Sequence, residues 1–144
     1  HMKYYLDTNV FLRFLVADDA KAYESCRELF SLIDARRIKA VTSLLVFAEI
    51  VWVLGSFYKF PREKITEMLR IAAQSGILFD NRCNVAAAVE AYGSHTVKFV
   101  DALIASHPLI RSGKLPVISY DADFDKLNVK RVEPQAVVAR TRRV

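Results

Sequence analysis

At 144 residues, 53% hydrophobic and 26% charged, the chain has the size and composition of one globular domain, and charges break its apolar runs well short of a membrane span. The 21 basic and 16 acidic residues leave a net charge of +5, a mild bias toward polyanionic partners. Two cysteines without metal-site spacing exclude a disulfide framework and a thiolate metal site, so a reducing cytoplasm is the expected setting, with Cys26 and Cys83 as core fillers.

His1-Met2 reads as an expression scar or start methionine, residues 3–135 as the domain, and 136–144 as a basic tail. Tyr4-Tyr5-Leu6 gives a short buried-strand signal, and Asp7-Thr8-Asn9 follows as a turn and helix start. A short apolar helix runs over Val10 to Ala17. The three- and four-residue steps of Tyr23, Cys26, Leu29, Phe30 and Ile33 predict an amphipathic helix from Ala20 to Ala35. A second strand spans Ile38 to Thr42, Ser43 is the expected N-cap, and Leu44 to Tyr58 is a helix apolar nearly all round, which must bury itself against the sheet or a second subunit.

Pro61 opens a further helix that runs to about Gln74, before a Ser75-Gly76 stop. Ile77 to Phe79 is a third strand, Asn84 to Tyr92 an Ala-rich helix ended by Gly93, and Val97 to about Ile110 another helix, with a kink or early stop at Pro108. Val117 to Ser119 forms a fourth strand and Lys130 to Val132 an edge strand. Strands alternating with helices predict a single α/β domain: a mostly parallel four- to five-stranded sheet with helices on both faces.

Four acids break this pattern. Asp7 and Asp121 each follow an apolar strand, and in a parallel sheet such ends line one edge, where ligands bind. A capping role is the simpler alternative for Asp7. Glu49 is the one charge between Leu44 and Leu54, and Asp101 stands in the apolar run Val97 to Ala105. Buried carboxylates need partners. A salt bridge is the alternative for Glu49. For Asp101 it is a surface pairing with Lys98, worth only about 0.2–0.5 kcal/mol.

Together, Asp7-Thr8-Asn9, the helix with Ser43 and Glu49, Val100 to Ala105, and Val117 to Phe124 resemble a PIN domain, in particular the VapC-type toxin ribonucleases, in the family's order and over nearly the whole chain. The resemblance implies a Mg²⁺- or Mn²⁺-dependent endoribonuclease with Asp7, Glu49, Asp101 and Asp121 as catalytic and metal-binding acids and Asp123 as a further ligand. It also implies a 5′-phosphate and a 3′-hydroxyl as products, an RNA substrate, a silencing antitoxin and a homodimer. Ser119 stands where the family usually has Thr before the fourth acid, so a hydroxyl is kept.

An all-carboxylate set suits hard divalent cations, which relieve the repulsion and activate water for phosphodiester hydrolysis. Thr8, Asn9, Ser43 and Ser119 are supporting candidates for orienting the acids or phosphate, with cap and turn roles as their simpler readings. Arg13, Lys98 and Arg111 are candidates for meeting RNA phosphates or, more simply, surface charges. Two other readings are a catalytically weak PIN-fold RNA-binding or scaffolding module and a receiver-type phosphoacceptor.

Overall fold

The computed structural model describes residues 2–73 and 76–143. His1 of the scar, the expected helix end at Gln74, the stop at Ser75, and Val144 lie outside the described residues. In chain order the elements are β1 (Lys3–Leu6), α1 (Thr8–Val16), α2 (Ala20–Asp34), β2 (Lys39–Thr42), α3 (Leu44–Ser56) and α4 (Arg62–Ala73). Then follow β3 (Leu78–Phe79), α5 (Val85–Ser94), α6 (Phe99–Ala105), α7 (Pro108–Arg111), β4 (Val117–Ile118), a 3₁₀ turn (Ala122–Leu127), β5 (Arg131–Val132) and α8 (Pro134–Arg142).

The five strands form one sheet in the order β3-β2-β1-β4-β5, and every pairing is parallel. Tyr5 is in register with Val41 on one side and Val117 on the other, so β1 is the centre. Successive residues of a strand face opposite sides, yet Tyr4, Tyr5 and Leu6 are all at most 1% exposed, which requires both faces of the sheet centre to be covered. The chain adds β2 and β3 to one side of β1 and then returns to lay β4 on the other. The order therefore reverses between β1 and β4, and the carboxyl ends of these two strands flank the crevice.

Within the single chain, helix α3 buries only one of its faces. Val46, Ile50 and Leu54 at four-residue steps are buried, whereas Val51, Trp52 and Phe57 at its far side and end are exposed, Trp52 by 68%. The helix expected over Val97 to Ile110 is two helices. Ser106 closes α6, and His107 Nδ1 accepts the Leu109 N–H at 3.1 Å, restarting the chain with Pro108 in the first turn, where its missing N–H costs nothing.

Cys26 is buried as expected, but Cys83 is exposed in the loop before α5, because only its neighbour Asn84 is committed, as that helix's cap. Residues 136–142, read as a basic tail, instead belong to α8. Val137 and Val138 are buried, Arg142 reaches Glu28 at 2.8 Å, and Arg37 donates to the Thr141 carbonyl at 3.0 Å. The valines carry the helix into the core, while the arginines that suggested a tail occupy its outer side. Gly93, expected to end α5, lies within that helix, which runs to Ser94.

Candidate metal centre

The end of β1 is latched to the end of β4. Asp7 N–H donates to the Ile118 carbonyl at 3.1 Å, which extends the ladder one residue past the strand and points the Asp7 side chain at the sheet edge. Asp7 occupies the N-cap position of α1 but makes no side-chain cap bond. Its Oδ2 instead accepts from Ser119 Oγ at 2.6 Å and from Asn9 Nδ2 at 3.2 Å. Asn9 also donates to Ser119 Oγ and accepts the Tyr120 N–H through Oδ1, both at 3.1 Å. Ser119 Oγ accepts the Asp121 N–H at 2.9 Å, and Asp121 Oδ1 accepts the Asp123 N–H at 2.9 Å.

Asn9 and Ser119 thus both hydrogen-bond the Asp7 carboxylate. Ser43 does not. It precedes α3 in the cap position without a cap bond, and its hydroxyl pairs with Tyr5 OH at 2.6 Å. The open Leu44 N–H is taken by Asn81 Oδ1 at 2.8 Å, a long-range partner that nothing near Ser43 announces.

Glu49 faces the edge from α3. Its Oε1 accepts from the Thr8 hydroxyl, and its Oε2 lies 3.3 Å from Lys98 Nζ. Asp101, on α6, is 1% exposed, so the expected surface pairing with Lys98 is not what the fold makes; that ammonium hydrogen-bonds Glu49 instead. Lys98 nevertheless acts on all three carboxylates. Burial disfavours its charged form, but Asp101, Glu49 and Asp7 outweigh this and hold the ammonium above its ordinary value.

Burial pushes Asp101 up to about 8, opposed by Lys98 and reinforced by Asp7, Asp121 and Glu49. Burial likewise pushes Asp7 up to about 6, against the Ser119 hydroxyl and the Thr8 backbone, which favour its charged form. The Lys98 ammonium is therefore shared by Asp7, Glu49 and Asp101, acids that repel one another.

Carboxylate oxygens of Asp101, Asp121 and Asp123 lie within 4.8 Å of one another. Asp123, the further ligand that the resemblance implied, belongs to this trio, and Lys126 flanks it at 3.0 Å. Asp7 and Glu49 stand outside the trio but within its electrostatic reach. Asp125 turns away to Arg131 at 3.1 Å.

Two buried carboxylate oxygens, Asp7 Oδ1 and Asp101 Oδ2, have no hydrogen-bond partner among the described residues. Unpaired buried acceptors beside a trio of oxygen donors, with no thiolate or imidazole in the set, fit a hard divalent cation such as Mg²⁺ or Mn²⁺.

Residues 4–130 match the profile of the PIN domain. The chain belongs to the PIN domain family. This PIN domain also shares its fold with a solved structure of VapBC2 from Rickettsia felis bound to a DNA fragment from their promoter: 19% identity, 92% of this chain and 98% of that one covered, TM-score 0.62. No curated protein sequence matches significantly. The strand order, with β2 and β3 on one side of β1, also differs from the 2-1-3-4-5 order of receiver domains and removes the phosphoacceptor reading. Among the described residues no helix is long and apolar enough to cross a membrane.

Two features of the edge escaped sequence reasoning. Asp80 follows β3 as Asp7 follows β1, and is held by Arg82 at 2.8 Å and by His107, whose Nε2 lies 3.1 Å away. Its signal, an acid directly after the apolar run Ile77 to Phe79, is the same one that singled out Asp7 and Asp121. Lys98 as the shared counterion had no sequence signal beyond proximity to Asp101.

Proposed function

We propose that this PIN domain is a metal-dependent endoribonuclease and the toxin of a toxin-antitoxin pair, acting in the cytoplasm. The observation that carries the reading is the pair of unpartnered buried oxygens, Asp7 Oδ1 and Asp101 Oδ2, beside the trio of Asp101, Asp121 and Asp123 at the strand-order reversal. Those residues are the ones that would hold Mg²⁺ or Mn²⁺. Bound there, the ion lowers the pKa of a water and stabilises charge on the leaving oxygen of a phosphodiester.

The chain's own groups prepare for this. Ser119 and Asn9 fix the Asp7 carboxylate so that one oxygen is engaged and the other stays free. Glu49 has both oxygens engaged, by Thr8 and Lys98, which suits it to positioning water rather than to direct ligation. Lys98 supplies positive charge at the mouth of the cluster, where a phosphate would approach. Cleavage in this arrangement leaves a 5′-phosphate and a 3′-hydroxyl.

A protein antitoxin as partner is supported by the shared fold with VapBC2 of Rickettsia felis. A homodimer is supported by the apolar surface left open on α3, where Val51, Trp52 and Phe57 face solvent. The test of activity is incubation of purified protein with structured RNAs in Mn²⁺, in Mg²⁺ and in EDTA. Metal-dependent cuts are expected. Absence of such cuts in every RNA overturns the nuclease and leaves an RNA-binding or scaffolding module. Sedimentation that finds only monomer at high concentration overturns the dimer.

A further inference from the structure

Beside the acids lies a second feature that the metal centre does not use. A cleft of about 160 Å³ opens between α5, α6 and the 3₁₀ turn, with Ala87, Ala91 and Ala105 among its floor residues and His95, Arg111 and Lys126 on its rim. No acid lines it. It is smaller than the roughly 300–1,000 Å³ of drug-sized ligand pockets, with room for one small group and not for a whole cofactor or a peptide helix.

Its position ties it to the trio. Lys126 reaches Asp123 Oδ1 at 3.0 Å while lining the cleft, and the floor residue Ala102 directly follows Asp101 on α6. Arg111 is exposed and makes no ion pair or side-chain hydrogen bond among the described residues, whereas carboxylates engage Arg82 and Arg131. His95 is exposed, and among the described residues only its Nδ1 is engaged, with the Ala91 carbonyl at 3.0 Å.

We propose that this cleft seats one nucleotide of a single-stranded RNA segment flanking the cleaved bond. Arg111 and Lys126 meet its phosphate, the imidazole of His95 stacks on its base, and the alanine floor leaves room for the ring. The proposal rests on the nuclease reading for its substrate. The chemistry follows from the lining: the guanidinium of Arg111, without a partner among the described residues, recognises phosphate, Lys126 adds positive charge from the place where Asp123 and the Thr96 carbonyl hold it, and a small apolar floor beside an imidazole takes an unstacked base irrespective of its identity. A protein partner is the poorer fit, because a concavity of this size with alanine walls offers no pocket for a large anchor residue.

The test is metal-free binding of a fluorescently labelled single-stranded RNA oligomer by the full chain, in EDTA, across a salt series. Arg111→Ala is expected to weaken binding by roughly three- to tenfold and to lower the slope of log affinity against log salt by about 0.7, the single-strand value for one lost phosphate contact. Ala91→Phe, which fills the cleft from a half-exposed helix position, is expected to weaken binding by about tenfold with the slope unchanged. Circular dichroism checks that both variants fold.

Loss of slope in Arg111→Ala with parental affinity in Ala91→Phe means a bare phosphate contact and overturns the nucleotide seat. Parental affinity in both variants, or no RNA binding by the parent, overturns it outright. The nuclease reading fails separately. If RNA binding responds to both substitutions while no RNA is cut in Mn²⁺, the cleft stands and the enzyme does not. If the parent cuts RNA and both variants bind as it does, the enzyme stands and the cleft does not.

Discussion

Asp7 and Asp80 stand in equivalent places on opposite sides of β2. Each directly follows a parallel strand, and each extends the ladder by donating its N–H to the neighbouring strand, Asp7 to Ile118 and Asp80 to Thr42. Their electrostatic settings are opposite. Arg82 grips Asp80 in a bidentate fork, His107 adds a second contact, and the carboxyl is held well below the usual carboxylate range. Asp7 has only neutral hydrogen-bond donors, one oxygen without a partner, and a pKa pushed up to about 6 by burial. A strand-end acid is therefore not a functional group by position. What separates the two is whether the fold supplies a dedicated cation or leaves the charge for something that binds.

The largest effect expected from this contrast is on activity. Asp7→Asn or Asp101→Asn should lower metal-dependent RNA cleavage by at least about a hundredfold, whereas Asp80→Asn should stay within a few-fold of the parent. Equal losses in all three variants would erase the distinction between the two sites.

Metal binding gives the next largest difference. At a metal concentration one hundred times its dissociation constant, the parent and Asp80→Asn should both gain about 2.7 kcal/mol of stability by mass action, seen as a rise in Tm, and Asp101→Asn should lose most of that gain. A metal-induced rise that survives in Asp101→Asn would place the ion elsewhere.

The pH dependence of the metal-free protein should be smaller and of opposite sign at the two sites. Asp7 and Asp101 titrate near 6 and 8 in the folded protein, against about 3.9 unfolded, so the folded state binds more protons across that window. Stability should then fall as pH rises from about 4 through 8, and Asp101→Asn should flatten the curve, with its largest gain over the parent at the alkaline end of that window. Asp80, with its depressed pKa, contributes stability above about pH 4 that is lost only in stronger acid. Denaturant midpoints measured between pH 4 and 9 in EDTA decide this.

The smallest effects concern the groups that hold each acid. Ser119→Ala removes the 2.6 Å hydrogen bond to Asp7 and should cost about 1 kcal/mol, with Ser119→Thr restoring it; Arg82→Ala, at an exposed pair, should cost no more than about 1 kcal/mol. Urea titrations with matched m-values read both. A larger loss in Arg82→Ala than in Ser119→Ala would mean that the Asp80 side of the edge is the more constrained one.

Much of this arrangement was legible in the chain. Tyr4 to Leu6 and Val117 to Ile118 announced buried strands, and Asp7, Glu49, Asp101 and Asp121 stood out because each is an acid in or directly after an apolar run. Pro108 announced the break after α6. These signals are local, set by the two-residue period of strands, the 3.6-residue period of helices and the steric rules of proline, so a window of a few residues contains them.

Which charge answers which acid was decided only in three dimensions. Lys98 is three residues from Asp101 but hydrogen-bonds Glu49, and Ser119 lies 112 residues from the Asp7 it orients. Asp80 was claimed by Arg82 and His107, and Asp123 swung into the trio while Asp125 left for Arg131. Periodicity fixes which face of an element is buried, but Coulomb interactions and hydrogen bonds depend on distances that exist only after the parallel sheet has brought the ends of remote strands together. The sequence by itself therefore determined that buried carboxylates exist at the sheet edge. The tertiary structure determined which of them are left without a cation of their own.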